Sequence, residues 1–167
     1  MNKHILFAGG DFLKIQWKEL IICIAIPLGI GALASFLTSD SMAVFGMINK
    51  PPLSPPAWLF PVVWTILDIL MGIASYLVYT SEKSVRVSTA LKVYGLQLVF
   101  NFFWTIIFFN LGNYLFAFVW LVALWLLIIL TNRLFDKISE TAGYLLLPYL
   151  VWVTFAGYLN WGIYLLN

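Results

Sequence analysis

The sequence predicts an all-α membrane protein, a bundle of five transmembrane helices, and three observations lead to this fold class. Of the 167 residues, 63% are hydrophobic and only 10% are charged, whereas soluble domains are roughly 45–50% apolar and 25% charged. Five apolar runs approach or reach the length of about 20 residues that a helix needs to cross a bilayer. The runs are continuous rather than alternating, which argues against a transmembrane β-barrel.

The predicted spans form one domain and cover residues 20–37, 58–79, 90–109, 114–131 and 143–166. The first run competes with a cleaved signal peptide, because Lys14 and Lys18 precede it and residues 32–34 have the small-x-small form of a cleavage site. The leader is long for a signal peptide and contains Asp11 and Glu19. We therefore expect the first run to stay as a helix. The small residues on one of its faces, suited to close helix packing, are Ala25, Gly29 and Ala32.

The link between the third and fourth spans, residues 110–113, is short enough to force a tight antiparallel hairpin. Basic residues indicate the orientation of all five spans. Eight of the nine fall on one side of the predicted membrane: Lys3, Lys14, Lys18, Lys83, Arg86, Lys92, Arg133 and Lys137. Only Lys50 falls on the other side. In a bacterial plasma membrane this bias predicts a cytoplasmic N-terminus.

Several functional classes receive no support from the sequence. His4 is the only histidine and Cys23 the only cysteine, so one chain offers neither paired haem-ligating histidines nor a zinc site. The net charge of +2 and the absence of a basic cluster away from helix ends speak against nucleic acid as a partner. Nucleotide-binding and hydrolase motifs are missing. We predict no metal site, no bound cofactor, and the lipid bilayer as the main surroundings.

Polar and aromatic side chains recur at helical spacing inside the predicted spans. Asp68 is the only acidic residue well inside any span, and an intramembrane carboxylate is expected to face the bundle interior or a wet cavity. The stripes comprise Trp64, Asp68, Met71 and Ser75; Gln97, Asn101, Trp104 and Phe108; Phe116, Trp120, Ala123 and Leu127; and Tyr149, Trp152, Ala156, Leu159, Asn160 and Ile163. Two interpretations stay open: an apolar pocket with a few orienting polar groups, or amides that only bond helix to helix.

The segment 49–58 is rich in proline, with four prolines between Pro51 and Pro56. Proline fixes φ and blocks helix formation, so this segment is stiff. It predicts either a rigid connector, with Trp58 as an interfacial anchor, or a rim over a cavity between helix ends.

Three motifs resemble the translocator protein family, also called tryptophan-rich sensory proteins or peripheral benzodiazepine receptors. Residues 50–72, KPPLSPPAWLFPVVWTILDILMG, are similar to the family pattern KPxWxPPxWxFxxVWxxLYxxMG. Residues 101–109, NFFWTIIFF, are similar to LNxxWxxxFF, and residues 147–160, LPYLVWVTFAGYLN, to PYxxWxxFAxxLN. The motifs occur in family order and leave out only the first forty-odd residues.

The resemblance implies a five-helix bundle, often a homodimer, that binds porphyrins, haem, cholesterol and synthetic isoquinoline or benzodiazepine-type ligands in a pocket at one end. Carried over by motif, Trp64, Asn101, Trp152 and Ala156 would line that pocket, under the loop 51–56. The full predicted ligand-binding set is Phe45, Pro55, Phe60, Trp64, Asp68, Asn101, Trp104, Trp120, Trp152, Ala156, Leu159 and Asn160. Cholesterol is not predicted, because the C-terminal motif needs a basic residue and none follows Lys137.

This chain departs from the family pattern at three positions. Asp68 stands where the family usually has Tyr, Trp120 where the fourth helix usually has Asp, and Leu53 where Trp is frequent. If Asp68 and Trp120 face each other, the exchange keeps one carboxylate in the cavity.

The sequence thus predicts a membrane receptor or carrier that binds a porphyrin or a haem-like, flat apolar ligand between its helices, without catalytic residues. One alternative is an enzyme that degrades porphyrins with light or an oxidant, in which Trp64 and Trp152 would be the reactive indoles. A second is a membrane scaffold that acts through partner proteins.

Overall fold

The computed structural model describes residues 15–41 and 46–167, and this part of the chain is α-helical without a β-strand. The helices are α1 (Trp17–Leu37), α2 (Leu59–Tyr79), α3 (Val85–Phe109), α4 (Tyr114–Asp136) and α5 (Glu140–Leu166), with a short 3-10 turn at Ser39–Ser41. All five are long and apolar enough to cross a membrane. The predicted fold class is confirmed.

The helix bounds differ from the predicted spans mainly where a helix continues out of its apolar run. α3 begins five residues earlier than its span, because Ser84 caps it by accepting a hydrogen bond from the Val87 N–H at 3.2 Å. α5 begins three residues early behind Ser139, whose hydroxyl accepts from the Ala142 N–H at 3.4 Å. Hydropathy marks the bilayer core, whereas capping side chains decide where a helix begins.

The five helices pack in the spatial order α1, α2, α5, α4, α3, and α3 returns to α1 through a smaller contact. The buried centre includes a polar pair, in which Tyr149 Oη donates to Gln97 Oε1 at 2.9 Å and joins α5 to α3. Large aliphatic and aromatic side chains cover much of the outside of every helix. An outer surface of this kind suits hydrocarbon rather than water, and the chain is an integral membrane protein.

α1 packs on α2 through a different face from the one predicted. Gly72 of α2 lies so close to α1 that an added Cβ would stand 2.5 Å from Ile24 Cα and 2.9 Å from the Cys23 carbonyl oxygen. Ala25, Gly29 and Ala32 lie on the exposed side of α1 instead. The close contact between α1 and α2 therefore does not use this face of small residues, because the small residue at the contact is supplied by α2.

The proline-rich segment is fixed to the C-terminal half of α5. Tyr158 Oη donates to the Pro52 carbonyl oxygen at 2.8 Å. Pro51 lies directly on Gly162, where an added Cβ would come within 2.6 Å of the proline ring. The Asn49 N–H donates to Asn167 Oδ1 at 2.9 Å, and Asn167 Nδ2 donates back to the Asn49 carbonyl at 2.9 Å. This connector is therefore held at the end of the bundle where α2 begins.

Candidate functional site

A cavity of about 680 Å³ opens at this end of the bundle, between α1, α2, α3 and α5. The proline-rich connector contributes Ser54 and Ala57 to its wall. The volume lies within the range of roughly 300–1,000 Å³ typical of small-molecule sites. Its lining is dominated by apolar and aromatic side chains.

The cavity brings together eight of the twelve residues predicted to bind ligand: Phe60, Trp64, Asp68, Asn101, Trp104, Ala156, Leu159 and Asn160. They come from three helices whose polar stripes all turn toward the same space. Trp64 also packs edge-on against Tyr149, with ring centroids 6.1 Å apart, which holds its indole at the cavity wall.

Four predicted residues do not line this cavity or cannot be placed. Phe45 lies outside the described residues. Pro55 sits in the connector but not on the cavity wall. Trp152 stands behind the wall, where its ring packs edge-on against Phe60 at 6.0 Å.

Trp120 is also away from the cavity, because α4 packs behind α3 and α5. Its indole stacks on Phe100 with ring centroids 4.4 Å apart, and Trp120 Nε1 donates to the Phe100 carbonyl oxygen at 2.8 Å. Asp68 and Trp120 therefore do not share the cavity, and the expected exchange of a carboxylate across it is not what the structure shows.

Some of the amides identified in the sequence bond helix to helix, and another faces the predicted pocket. Gln97 is bonded to Tyr149, so it joins helix to helix. Asn160 does the same, because Trp104 Nε1 donates to Asn160 Oδ1 at 3.2 Å and Asn160 Nδ2 donates to the Tyr114 carbonyl at 2.8 Å. In contrast, Asn101 lines the cavity and its side-chain amide makes no hydrogen bond in the described chain, although Oδ1 is buried.

Hydroxyl groups on the wall are mostly engaged with their own helix or turn. Each of the following donates to a nearby backbone carbonyl: Thr38, Ser39, Ser54, Thr65 and Thr105. The carboxyl group of Asp68 has no hydrogen-bond partner in the described part of the chain, although the residue is only 5% exposed. Asp68 and Asn101 thus carry unmet hydrogen-bonding capacity on a wall that is otherwise mostly apolar or bonded within the protein. The exposed Ser35 hydroxyl also makes no hydrogen bond in the described part of the chain.

Sequence reasoning missed the contribution of α1, which supplies Leu28, Ile30, Gly31, Ala32, Ala34, Ser35 and Thr38 to the wall. Pro61, Thr65, Phe102, Thr105 and Phe109 were missed as well. α1 is apolar around its whole circumference, so no stripe distinguishes the face that meets the cavity. Phe102 and Thr105 lie one position from predicted neighbours, and a wider stripe on α3 would have included them.

Known proteins are similar to this chain over most of its length. The TspO/MBR family model matches residues 23–166. The chain is 39% identical to the tryptophan-rich protein TspO of Chlorobaculum tepidum over an alignment of 169 residues, which covers 100% of this chain and 99% of that protein.

Two further relatives extend the comparison beyond that bacterium. The tryptophan-rich protein TspO of Archaeoglobus fulgidus is 40% identical over 151 residues, which cover 89% of this chain and 97% of that protein. The translocator protein of Ovis aries is 29% identical over 148 residues, covering 87% and 88%. The resemblance drawn from the three motifs is confirmed, and this five-helix membrane protein belongs to the TspO/MBR family.

Proposed function

We propose that this protein is a membrane receptor or carrier that binds a tetrapyrrole, or a similar flat and largely apolar ligand, in the cavity between α1, α2, α3 and α5. The observation that carries the proposal is the wall itself: indole and phenyl rings surround two polar groups with unmet hydrogen-bonding capacity, Asp68 and Asn101. Aromatic rings supply stacking area, and a small number of polar groups orient the ligand.

Binding rather than catalysis is supported by the chemistry of the wall. Asp68 is the only ionisable acid or base among the described residues that line the cavity, so no acid–base pair faces the ligand. Of the two indoles considered for photochemistry, Trp64 lines the cavity, whereas Trp152 does not line it and packs against Phe60. A receptor or carrier requires only the complementary surface that these residues form.

We also infer that the N-terminal end of α1 faces the cytoplasm of a bacterial cell. Among the described basic residues, Lys83, Arg86, Arg133 and Lys137 flank the two turns at the end opposite the cavity, whereas Lys50 lies at the cavity end. The positive-inside rule places the richer end in the cytoplasm. In this orientation the end of the bundle that carries the cavity faces outward.

The proposal is tested by titrating the detergent-purified protein with protoporphyrin IX while following tryptophan fluorescence. We expect saturable quenching at micromolar concentrations or below. Asn101→Leu should weaken binding by about 1–3 kcal/mol, roughly five- to 150-fold, because the ligand loses a hydrogen-bonding partner. Its thermal unfolding midpoint should hardly change, since the Asn101 amide oxygen has no protein partner to lose.

Trp120→Phe is the matched control, because Trp120 was predicted for the site but stacks on Phe100 outside the cavity. Phenylalanine keeps the stacking, so porphyrin affinity should stay within about twofold of the unmodified protein, well under the 1.4 kcal/mol of a tenfold change. Quenching that rises linearly and equally in empty micelles would contradict the proposal. A loss of affinity in Trp120→Phe but not in Asn101→Leu would place the site elsewhere.

A further inference from the structure

Asp68 occupies an unusual position on the cavity wall. It lies nine residues after the start of α2 at Leu59, which places it about 13 Å along the helix from the cavity end. The residue is 5% exposed and lines the cavity. Its carboxyl group receives no hydrogen bond and no ion pair from the described part of the chain.

The neighbouring helix leaves room for this carboxyl group. Gly31 of α1 faces it so closely that an added Cβ would stand 2.6 Å from Asp68 Oδ2. Any other residue at position 31 would crowd the carboxyl oxygen. No Lys, Arg or His is among the described residues that line the cavity. The protein therefore makes space for the acid but supplies no basic partner for it.

Several donors on the cavity wall are already engaged within the protein. The Trp104 indole N–H and the Asn160 amide N–H already donate to protein oxygens, as do the hydroxyl groups of Thr65 and Thr105. Asn101 Oδ1, by contrast, is an acceptor with no partner in the described chain. The Asp68 carboxylate can only accept hydrogen bonds, so a ligand that satisfies it must bring a donor.

We propose that Asp68 determines ligand specificity by charge: it favours a ligand that places a protonated nitrogen or an N–H donor in the inner part of the cavity, and it disfavours a carboxylate there. This inference rests on the proposed function in that it names the chemical class the same cavity accepts. A donor on the ligand forms a charge-assisted hydrogen bond with the acid. A ligand carboxylate would be repelled, and in a water-poor wall that repulsion is strong.

The test uses three porphyrins with one ring system and different side chains: protoporphyrin IX with two propionates, its neutral dimethyl ester, and its bis(aminoethyl)amide with two ammonium groups. Dissociation constants are measured in a non-ionic detergent for the unmodified protein and for Asp68→Asn, which keeps the shape and removes the charge. The unmodified protein should bind the amide most tightly and the free acid least. In Asp68→Asn the preference for the amide over the acid should fall by on the order of tenfold or more.

Glu82→Gln is the matched control for net charge. Glu82 is exposed in the link between α2 and α3, at the end opposite the cavity, so this variant should keep the preference of the unmodified protein. An equal change of all three affinities in Asp68→Asn, or the same loss of preference in Glu82→Gln, would overturn the proposal.

A second pair of probes separates this inference from porphyrin binding. The shift of the thermal unfolding midpoint is measured with 2-naphthylethylamine and with 2-naphthylacetic acid. The amine should stabilise the unmodified protein more than the acid does, and the difference should vanish in Asp68→Asn. If porphyrins fail to bind but this difference is present, the tetrapyrrole proposal fails and the role of Asp68 stands. If neither probe set reveals a charge preference that depends on Asp68, the role of Asp68 is refuted.

Discussion

Leu53 adopts a backbone conformation that leucine rarely takes. Its φ is +68°, the left-handed region, and its side chain is 83% exposed. It follows Pro52 in a turn in which the Ser54 N–H donates to the Pro51 carbonyl at 3.3 Å. A positive φ at the third position of such a turn is normally filled by glycine or asparagine. The contacts of the connector with α5 hold Leu53 in this strained state.

Replacing Leu53 should therefore stabilise the protein when the new residue tolerates a positive φ. The left-handed conformation costs a non-glycine residue roughly 1–2 kcal/mol. We expect Leu53→Asn and Leu53→Gly to raise the free energy of unfolding. The increase should be smaller for glycine, because glycine stabilises the unfolded chain by about 0.5–1 kcal/mol of conformational entropy. The midpoint of thermal unfolding in detergent checks this order.

Leu53→Val is the opposing control, because a β-branched residue is the least compatible with a positive φ. It should unfold at a lower temperature than the unmodified protein. A higher thermal unfolding midpoint for Leu53→Val than for Leu53→Asn would show that the side chain at position 53 affects stability more than its backbone conformation does.

At the scale of helices, the contact between α1 and α2 depends on one glycine. At Gly72 an added Cβ would meet backbone atoms of Ile24 and Cys23 within 3 Å, and backbone cannot move aside as a flexible side chain can. At Gly29 an added Cβ would meet nothing within 4 Å. Position 72 therefore requires glycine, whereas position 29 has room for a side chain, although both lie in apolar helices.

Gly72→Ala should lower the stability of the bundle, whereas Gly29→Ala should not. Overpacking of this kind costs about 1–3 kcal/mol, and separating α1 from α2 would also disturb the cavity that both helices line. Alanine at position 29 should be neutral or stabilising by up to about 1 kcal/mol through its helix propensity. Thermal unfolding of both variants in one detergent measures the difference. Equal midpoints would mean that α1 shifts freely along α2.

The helices could be predicted from the sequence because each apolar run is long enough to span a bilayer and flanked by polar residues. The starts of α1, α3 and α5 and the end of α4 lie three to five residues outside the predicted spans. At α3 and α5 the reason is the caps Ser84 and Ser139, which extend these helices beyond the hydrocarbon core. The packing face of α1 could not be predicted, because its exposed and buried sides are equally apolar. Lipid and protein interior select the same side chains, so hydropathy alone cannot separate them.

At the scale of the whole molecule, the two ends of the bundle differ in charge and in shape. The cavity and the proline-rich connector lie at one end, with Lys50, while the turns at the other end carry most of the described basic residues. Such asymmetry orients a membrane protein during insertion.

Cysteine labelling of intact bacterial cells tests the orientation. In a Cys23→Ser background, a membrane-impermeant maleimide should label Leu53→Cys, at the cavity end, and should leave Glu82→Cys unlabelled until the membrane is opened. Both positions are exposed, so accessibility within the protein does not limit the reaction. Labelling of Glu82→Cys alone in intact cells would reverse the topology.

The sequence by itself determined the fold class, the approximate spans and the family, and it identified the carboxylate, the two amides and the two indoles of the cavity wall. In hydrocarbon every backbone polar group must be bonded within its own segment, so long apolar runs leave helix as the solution. Polar groups at helical spacing cannot prefer lipid, which is why Asp68 and Asn101 could be identified as facing inward.

Only the tertiary structure decided which helices enclose the cavity. Trp104 of α3 bonds to Asn160 of α5. No described residue of α4 lines the cavity, and Trp120 stacks on Phe100. The same packing brings α1 to the cavity through Gly31, opposite Asp68. Spacing along one helix states which side chains share a face, but the neighbour that this face meets depends on how all five helices pack together.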